Sequence, residues 1–197
     1  MRVPDLLGPA DLPAAELHAA RLDGELFPLA EGFASIAGLD GPGLRAAAAA
    51  VGRSERLIAD RRTAAWVWGV TARPPRPLEF CVDIRARTRP PRDPLVSVRE
   101  VVLDEEDVVR FPGGGAVTTP LRTAVDLART EGAEAQRAGT RGDDGGCAEL
   151  LRGLGAFEAV TVAAAAALMD RRRNLSGKRA ALAVLRAALG SESALSR

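Results

Sequence analysis

The sequence predicts an α+β protein with a mixed β-sheet, flanking helices and a helical C-terminal segment. Patterns typical of helices and of strands alternate through about the first 130 residues, and only helix-type patterns occur after about residue 146. Between these regions lies a Gly-rich stretch at 131–146 without a large apolar side chain. Apolar residues make up 47% of the 197 residues, which is enough to fill the core of one domain of ordinary size.

The N-terminal region is predicted to form one helix and a short hairpin. Pro13 suits the first turn of a helix over 13–23, in which apolar residues recur at helical spacing. The stretch LFPLAEGFASI at 26–36 indicates two short strands around Glu31 and Gly32. A helix followed by a hairpin, or wing, is therefore expected before the main body.

The main body is predicted to combine helices with a sheet and to lead into a capped helix. Its elements are a helix over 41–51, a strand at 56–58, a helix over 60–68, strands over 77–86 and 94–103, a hairpin over 107–119 and a helix over 119–130. Thr119 is the predicted N-cap of this last helix, and Pro120 is its first residue. Further helices are expected near 146–154, 157–172 and 176–189.

Composition argues against a membrane protein and against a dedicated nucleic-acid coat. The longest apolar run, AVTVAAAAALM at 159–169, is too short to span a bilayer, and the N-terminus lacks the basic and apolar stretches of a signal peptide. We therefore expect a cytoplasmic protein. The net charge is only +1, but a neutral total still permits a local basic face.

The chain offers few residues for catalysis. His18 is the only histidine, and no serine or cysteine motif accompanies it. Short-spaced metal ligands and a complete phosphate-loop motif are both missing from the sequence, and Lys178 lacks the ExK partner of a restriction-type nuclease. Cys81 lies in an apolar run and is expected to be a buried free thiol. We predict a protein that is not an enzyme and needs no metal or cofactor.

Cations at two predicted helix starts are the most unusual feature of the sequence. Asp60 is expected to cap a helix whose next residues are Arg61 and Arg62, although a helix N-terminus disfavours cations by about 0.3–1 kcal/mol each. Something negative should therefore lie nearby. It is either a protein carboxylate in the run 104–106 or the phosphate of a ligand.

The second basic stretch is DRRRNLSGKR at 170–179. Its cations are Arg171, Arg172, Arg173, Lys178 and Arg179. Ser176 is predicted to cap the last helix, which places Lys178 and Arg179 in its first turn. Because helix N–H groups and guanidinium forks both bind anions, these residues form a candidate phosphate site together with the pair at 61–62.

Several stretches resemble the AbiEi-type antitoxins of type IV toxin–antitoxin systems, particularly the actinobacterial members. The stretches are LDGELFPLAEGFASI at 22–36, LIADRRTAAWVWGV at 57–70 and VTTPLRTAVDLA at 117–128. The family patterns HR-[ST]-A-A-x-x-W-G and V-T-[ST]-P-x-R-T-x-x-D-L-A correspond here to Arg61 to Gly69 and to Val117 to Ala128. The resemblance extends over roughly 11–189, and the two motifs together are fairly specific.

The resemblance implies a cytoplasmic antitoxin that represses its own operon by binding operator DNA. Such a protein opposes a nucleotidyltransferase-like toxin, with no stable complex between the two being required. The implied organisation is an abbreviated winged-helix-like element at 1–38, an antitoxin-like core at 39–130, a flexible loop at 131–146 and a helical segment at 147–197. Some relatives continue into a Vsr-like endonuclease domain, which we expect this chain to lack.

Residues inside the motifs are expected to have structural roles. Arg122 and Asp126 stand at i and i+4 and should pair on one helix. Trp68 is predicted to be a core residue, whereas Trp66 points about 200° away on a helix and should be partly exposed.

The N-terminal helix departs from the family pattern. It carries Glu16 and Asp23, and Glu25 follows closely, so it suits a DNA major groove poorly. Any DNA contact is therefore expected at the basic clusters. The alternatives are a protein–protein interaction module whose arginines hold acidic partners or its own carboxylates, and an accessory domain left from a nuclease-linked architecture.

Overall fold

The computed structural model of the chain describes residues 5–86, 93–138, 146–172 and 176–190. Over these residues the fold is α+β, with seven α-helices and two β-sheets, as the sequence predicts. The chain divides into two compact units, Met1–Thr118 and Thr119–Arg197. The division falls at the start of the capped helix, whereas the sequence placed boundaries near 38 and 130.

The first unit begins with a three-stranded antiparallel sheet and one helix. These elements are β1 (Leu6–Leu7), α1 (Ala14–Leu22), β2 (Leu26–Leu29) and β3 (Gly32–Ser35), and the strand order is β1-β3-β2. Leu7, Leu17 and Leu26 form the core between helix and sheet. The helix and hairpin agree with the predicted winged-helix-like element. The two-residue strand β1 was not predicted because it is too short to show a pattern.

A five-stranded mixed sheet forms the rest of the first unit, in the order β6-β5-β4-β8-β7. Its elements are α2 (Pro42–Ala50), β4 (Ile58–Ala59), α3 (Arg61–Val67), β5 (Leu78–Asp83), β6 (Val96–Val101), β7 (Val108–Arg110) and β8 (Ala116–Thr118). β4 runs parallel to β8, with Ala59 opposite Val117, and antiparallel to β5. These three central strands position the two sequence motifs.

The two faces of this sheet carry separate apolar clusters. Phe80 and Val117 pack with residues of α2 and α3 on one face, whereas Ile58 and Cys81 belong to a smaller cluster on the other. Successive strand residues alternate between the faces, as strand geometry requires. Cys81 is buried and forms no disulfide, as the sequence predicts.

The two tryptophans of α3 are buried in the opposite order to the prediction. Trp66 is fully buried in the core, whereas Trp68 is partly exposed. The prediction treated both residues as helical, but α3 ends at Val67 and Trp68 is its C-cap. The angular spacing of a helix therefore does not govern where the second ring points.

The second unit consists of helices alone over its described residues. They are α4 (Pro120–Ala138), α5 (Gly146–Gly155), α6 (Val162–Asp170) and α7 (Lys178–Leu189). Helix α6 starts five residues later than predicted, because Thr161 caps it by accepting a hydrogen bond from Ala164 N at 3.0 Å. Among the described helices of both units, none is long and apolar enough to cross a membrane.

Helix α4 continues to Ala138, past the predicted end at residue 130. The prediction of a loop from residue 131 is therefore wrong for 131–138, and residues 139–145 lie outside the described part of the chain. Glu, Ala, Gln and Arg favour helix in this stretch. Gly132 serves as a packing residue rather than a helix breaker, since a Cβ there would lie 2.9 Å from the Cβ of Ala180 in α7.

Candidate nucleic-acid interface

Two carboxylates accept hydrogen bonds from the first backbone N–H groups of α3. The Asp60 side chain accepts a hydrogen bond from the backbone N of Arg61 at 2.8 Å, which confirms the predicted cap. Glu79 of β5 accepts one from the backbone N of Arg62, also at 2.8 Å. The same strand is tied to α3 by Thr63, whose hydroxyl oxygen accepts from Glu79 N at 2.7 Å. The first turn of α3 is thereby fixed to β5.

The Arg61 side chain lies among these carboxylates. Its Nε is 3.6 Å from Asp60 Oδ2 and its Nη2 is 3.6 Å from Glu79 Oε1, and only 14% of the side chain is exposed. Arg99 of β6 also reaches Asp60, with Nε and Oδ2 2.5 Å apart. The negative groups beside Arg61 are therefore protein carboxylates, but not those of 104–106. This geometry gives no support to a phosphate-binding role for Arg61.

Arg62 differs from its neighbour because it is exposed. Its backbone N–H contributes to the helix cap, and its guanidinium extends on the surface. Its predicted role as a phosphate ligand stays a prediction.

The two motifs meet inside the first unit. Their strand portions, β4 and β8, are parallel neighbours. The indole Nε1 of Trp68 in the first motif donates a hydrogen bond to the carbonyl of Thr118 in the second, at 2.8 Å. Trp68 therefore links the two motifs, a role that the sequence did not predict, and the core position expected for it is taken by Trp66.

The helical part of the second motif contains a buried ion pair. Thr119 caps α4 and accepts from Arg122 N at 3.3 Å, and Pro120 is the first helical residue, as predicted. Arg122 Nε lies 2.5 Å from Asp126 Oδ2, and both side chains are almost fully buried. Arg129 Nη1 approaches the other oxygen of Asp126 at 3.3 Å. The predicted pairing of Arg122 with Asp126 is confirmed.

The second basic stretch forms a surface of the second unit where α6 ends and α7 begins. Arg129 Nε reaches Ser176 O at 3.4 Å, and Lys178 Nζ lies 3.6 Å from Asp170 Oδ1. These contacts bring together residues of α4, α6 and α7. We call the group the α6–α7 basic surface; its members are Arg129, Arg171, Arg172, Lys178 and Arg179. Arg173, which the sequence placed in the same cluster, lies outside the described residues.

Four cations of this surface are at least partly accessible, and the exposed carboxylate of Asp170 lies beside one of them, Lys178. Arg171 and Arg179 are exposed, and Arg172 and Lys178 are partly exposed. The cap of α7 is Gly177 rather than Ser176, at φ 77°, and it makes no side-chain capping bond. The first turn of α7 therefore presents backbone N–H groups beside two cations, an arrangement that favours anions.

Charge is unevenly distributed along the chain. Residues 119–197 contain twelve basic and nine acidic side chains, a formal net charge of +3. Residues 1–38 contain six acidic and two basic side chains, a net charge of −4. Residues 39–118 contain thirteen basic and eleven acidic side chains, a net charge of +2, so of these three stretches only residues 1–38 have a net negative charge.

A cleft of about 790 Å³ lies on the first unit, near the carboxyl ends of β5 and β6. Its polar lining mixes both signs of charge, from Asp83, Arg85, Asp104, Glu105 and Arg110. The Arg85 guanidinium, hydrogen-bonded to Asp83, lowers the pKa of that carboxyl. Within the described ranges no group of three or more His, Cys, Asp or Glu side chains could hold a metal ion.

Sequence reasoning missed Arg45, which holds several parts of the first unit together. Its guanidinium binds both carboxylate oxygens of Asp40 and donates to Trp66 O and Thr71 O, at 2.9 and 3.1 Å. It also lies 5.6 Å from the ring centroid of Trp66. The Ala-rich stretch around Arg45 gave no sign of these contacts, which span up to 26 residues.

No protein-family model matches the chain, and no curated protein matches it. Among solved structures, the crystal structure of RV2827C protein from Mycobacterium tuberculosis matches over 95% of this chain and 72% of that chain. The sequence identity is 16% and the TM-score is 0.48.

Proposed function

We propose that the chain is an antitoxin-like protein of a type IV toxin–antitoxin system that binds DNA through the α6–α7 basic surface. The observation that carries the DNA-binding part is the α6–α7 basic surface itself, to which α4 contributes Arg129, the end of α6 contributes Arg171 and Arg172, and the first turn of α7 contributes Lys178 and Arg179. The antitoxin part is supported by the resemblance of the two motifs.

The placement of the motifs fits a shared structural role. In both, a short buried strand leads to a capping residue and then a helix, first with Asp60 and then with Thr119. The strands are parallel neighbours, and Trp68 hydrogen-bonds across them to Thr118. The two motifs are about 50 residues apart in sequence but contact each other in the fold. Such a contact is what we expect of two motifs that define one family fold.

The winged-helix-like element suits DNA poorly in two respects. Its net charge is −4, and α1 exposes Glu16, so a phosphate backbone would repel it. Its hairpin is also held to the rest of the first unit, because Glu31 at the turn lies 3.6 Å from Arg53. The α6–α7 basic surface has the opposite charge and exposed guanidinium groups, which bind phosphate well.

Binding of this kind is governed by phosphates rather than base edges. Arg and Lys contacts to the DNA backbone supply affinity that falls steeply with salt, but they carry little sequence information. A gel shift with the duplex upstream of the gene tests this part. We expect a complex at low salt, and the absence of any complex there would reject DNA binding.

Antitoxin activity is tested by growth. A nucleotidyltransferase-like protein encoded next to this chain is induced in a host that carries either the intact gene or a copy with a stop codon at Arg61. We expect toxin induction to halt growth with the interrupted copy and growth to be restored with the intact one. Equal arrest with both copies, or the lack of such a neighbour, would contradict the antitoxin role.

A further inference from the structure

We propose that the acidic end of the winged-helix-like element binds the α6–α7 basic surface of a second copy of the chain. The acidic end is the part of the first unit formed by Asp5, Leu22, Asp23, Glu25, Ile36 and Leu39. Self-association of this kind is a contact between two different surfaces, driven by their opposite charges.

The acidic end is assembled by the three-stranded sheet. Leu6 pairs with Ala34 and Leu26 with Ser35, so the residues just before β1 and β2 lie on either side of the end of β3. Ile36 N donates to Glu25 O at 3.1 Å, and Ser35 N donates to Asp5 O, also at 3.1 Å. Two carboxylates therefore flank one exposed isoleucine at the same end of the sheet.

Helix α1 ends at this place as well. Asp23 is its C-cap, and Glu25 N donates to Ala20 O at 2.9 Å as the chain turns into β2. The side chains of Asp5, Asp23 and Glu25 are all exposed. A carboxylate at a helix C-terminus is unfavourable for the helix, so Asp23 adds negative charge where the helix already has it.

Apolar side chains are exposed among these carboxylates. Leu22 is 82% exposed, Ile36 65% and Leu39 93%. An arginine or lysine side chain combines an apolar stem with a cationic head, and it can cover apolar atoms while its charge meets a carboxylate. The acidic end is thus the chemical complement of a surface rich in arginine.

A surface of that kind exists on the chain itself. The α6–α7 basic surface presents exposed Arg171 and Arg179, with Arg172 and Lys178 beside them. The acidic end has three exposed carboxylates with Arg21 beside them, and the α6–α7 basic surface has two exposed and two partly exposed cations with Asp170 beside them, so the two surfaces have opposite sign. These facts favour a second copy over an unrelated basic protein as the occupant.

The same surface is the proposed DNA site, so this consequence rests on the proposed function. An acidic end seated on the α6–α7 basic surface would occupy the groups that meet phosphate. Self-association and DNA binding should then exclude each other, and added duplex should dissociate the self-associated species.

The experiment measures the mass of the full chain in solution without DNA, by light scattering over a range of protein concentrations. At about 0.01 M salt, where charges act over about 30 Å, we expect the average mass to rise with concentration above the 20.6 kDa of one chain. At about 0.3 M salt the mass should return to that of one chain because the charges are screened. A mass that stays at 20.6 kDa at low salt overturns the proposal.

Charge-swap variants identify the two surfaces. One variant carries Asp23→Lys and Glu25→Lys, and the other carries Lys178→Glu and Arg179→Glu. The new charges at Asp23 and Lys178 suit the helix ends that receive them, so both variants should fold, which circular dichroism checks. Each variant alone should remain a single chain, whereas an equal mixture should associate again because each basic surface now has an acidic partner.

A control variant, Glu158→Lys, changes the charge at an exposed residue that belongs to neither surface and should associate like the intact chain. Failure of the mixture to associate would overturn the proposal, as would a loss of association in the control. Since no DNA is present in these measurements, their failure is distinct from a failure of DNA binding. A gel shift without self-association would leave the proposed function standing and reject this inference.

Discussion

At the scale of single residues, Arg45 shows how one buried guanidinium organises its surroundings. Its guanidinium binds Asp40 through Nε and Nη2, at 2.8 and 2.5 Å, while Nη1 donates to two backbone carbonyls, that of Trp66 in the last turn of α3 and that of Thr71 after it. Only 14% of the side chain is exposed, although Asp40 itself is half exposed. The pair therefore anchors α2 to the chain after α3 from the edge of the core.

The Asp40 carboxyl should titrate below its ordinary pKa of 3.8, chiefly because of its hydrogen bonds with Arg45. A lowered pKa in the folded state means that the pair stabilises the fold above about pH 4 and that this contribution is lost as the pH falls through the folded value. NMR titration of the side-chain carboxyl measures this directly. Arg45→Gln should raise the Asp40 pKa, whereas Arg21→Gln should leave it unchanged; equal titration in all three proteins would contradict the assignment.

Single residues also show where sequence reasoning succeeds. The caps Asp60 and Thr119 were predictable because a capping residue acts on the N–H groups that immediately follow it. The Arg122–Asp126 pair was predictable for the same reason, since residues at i and i+4 share a helix face. The pairing of Arg61 with Glu79 was not predictable, because Glu79 lies 18 residues away on β5. The pairing of β4 with β5 brings the two residues together.

At the scale of whole elements, helix ends were the least predictable feature. Trp68 lies one residue beyond α3, so the helical rule that would have buried it does not apply. Helix α4 passes through Gly132, which the sequence indicated as part of a loop. A glycine inside a helix is unfavourable by itself, and only the approach of α7 explains it.

Substitution of Gly132 tests this close approach. A Cβ there would lie 2.9 Å from Ala180 Cβ and 3.1 Å from Ala180 C, so backbone would have to move. Overpacking of this kind destabilises by about 1–3 kcal/mol, which offsets the gain of about 1 kcal/mol from replacing glycine in a helix. We expect Gly132→Ala to leave the free energy of unfolding unchanged or to lower it, and Gly132→Val to lower it further. Urea denaturation measures this free energy for each variant.

The matched control is Gln136→Ala, at an exposed position of the same helix, which should change the free energy of unfolding by no more than about 0.5 kcal/mol. A clear stabilisation by Gly132→Ala would show that the helices are not in close contact there.

At the scale of the whole molecule, a net charge of +1 conceals two regions of opposite sign. The composition predicted only that a basic face was possible. The structure shows which residues form the α6–α7 basic surface, because it brings Arg129 of α4 to Ser176 and Lys178 of α7 to Asp170, at 3.4 and 3.6 Å. These contacts join residues up to 47 positions apart, so no local pattern could reveal them.

The measurement that tests the central claim most directly is the salt dependence of DNA binding, followed by fluorescence anisotropy with the upstream duplex. For each phosphate contact, the logarithm of the binding constant should fall by about 0.9 for each unit rise in the logarithm of salt concentration. We predict that Arg179→Ala weakens binding and reduces this slope by about 0.9, whereas Arg152→Ala, at an exposed site on α5, changes neither. An unchanged slope for Arg179→Ala, or an equal loss with Arg152→Ala, would contradict the α6–α7 basic surface as the site that meets DNA.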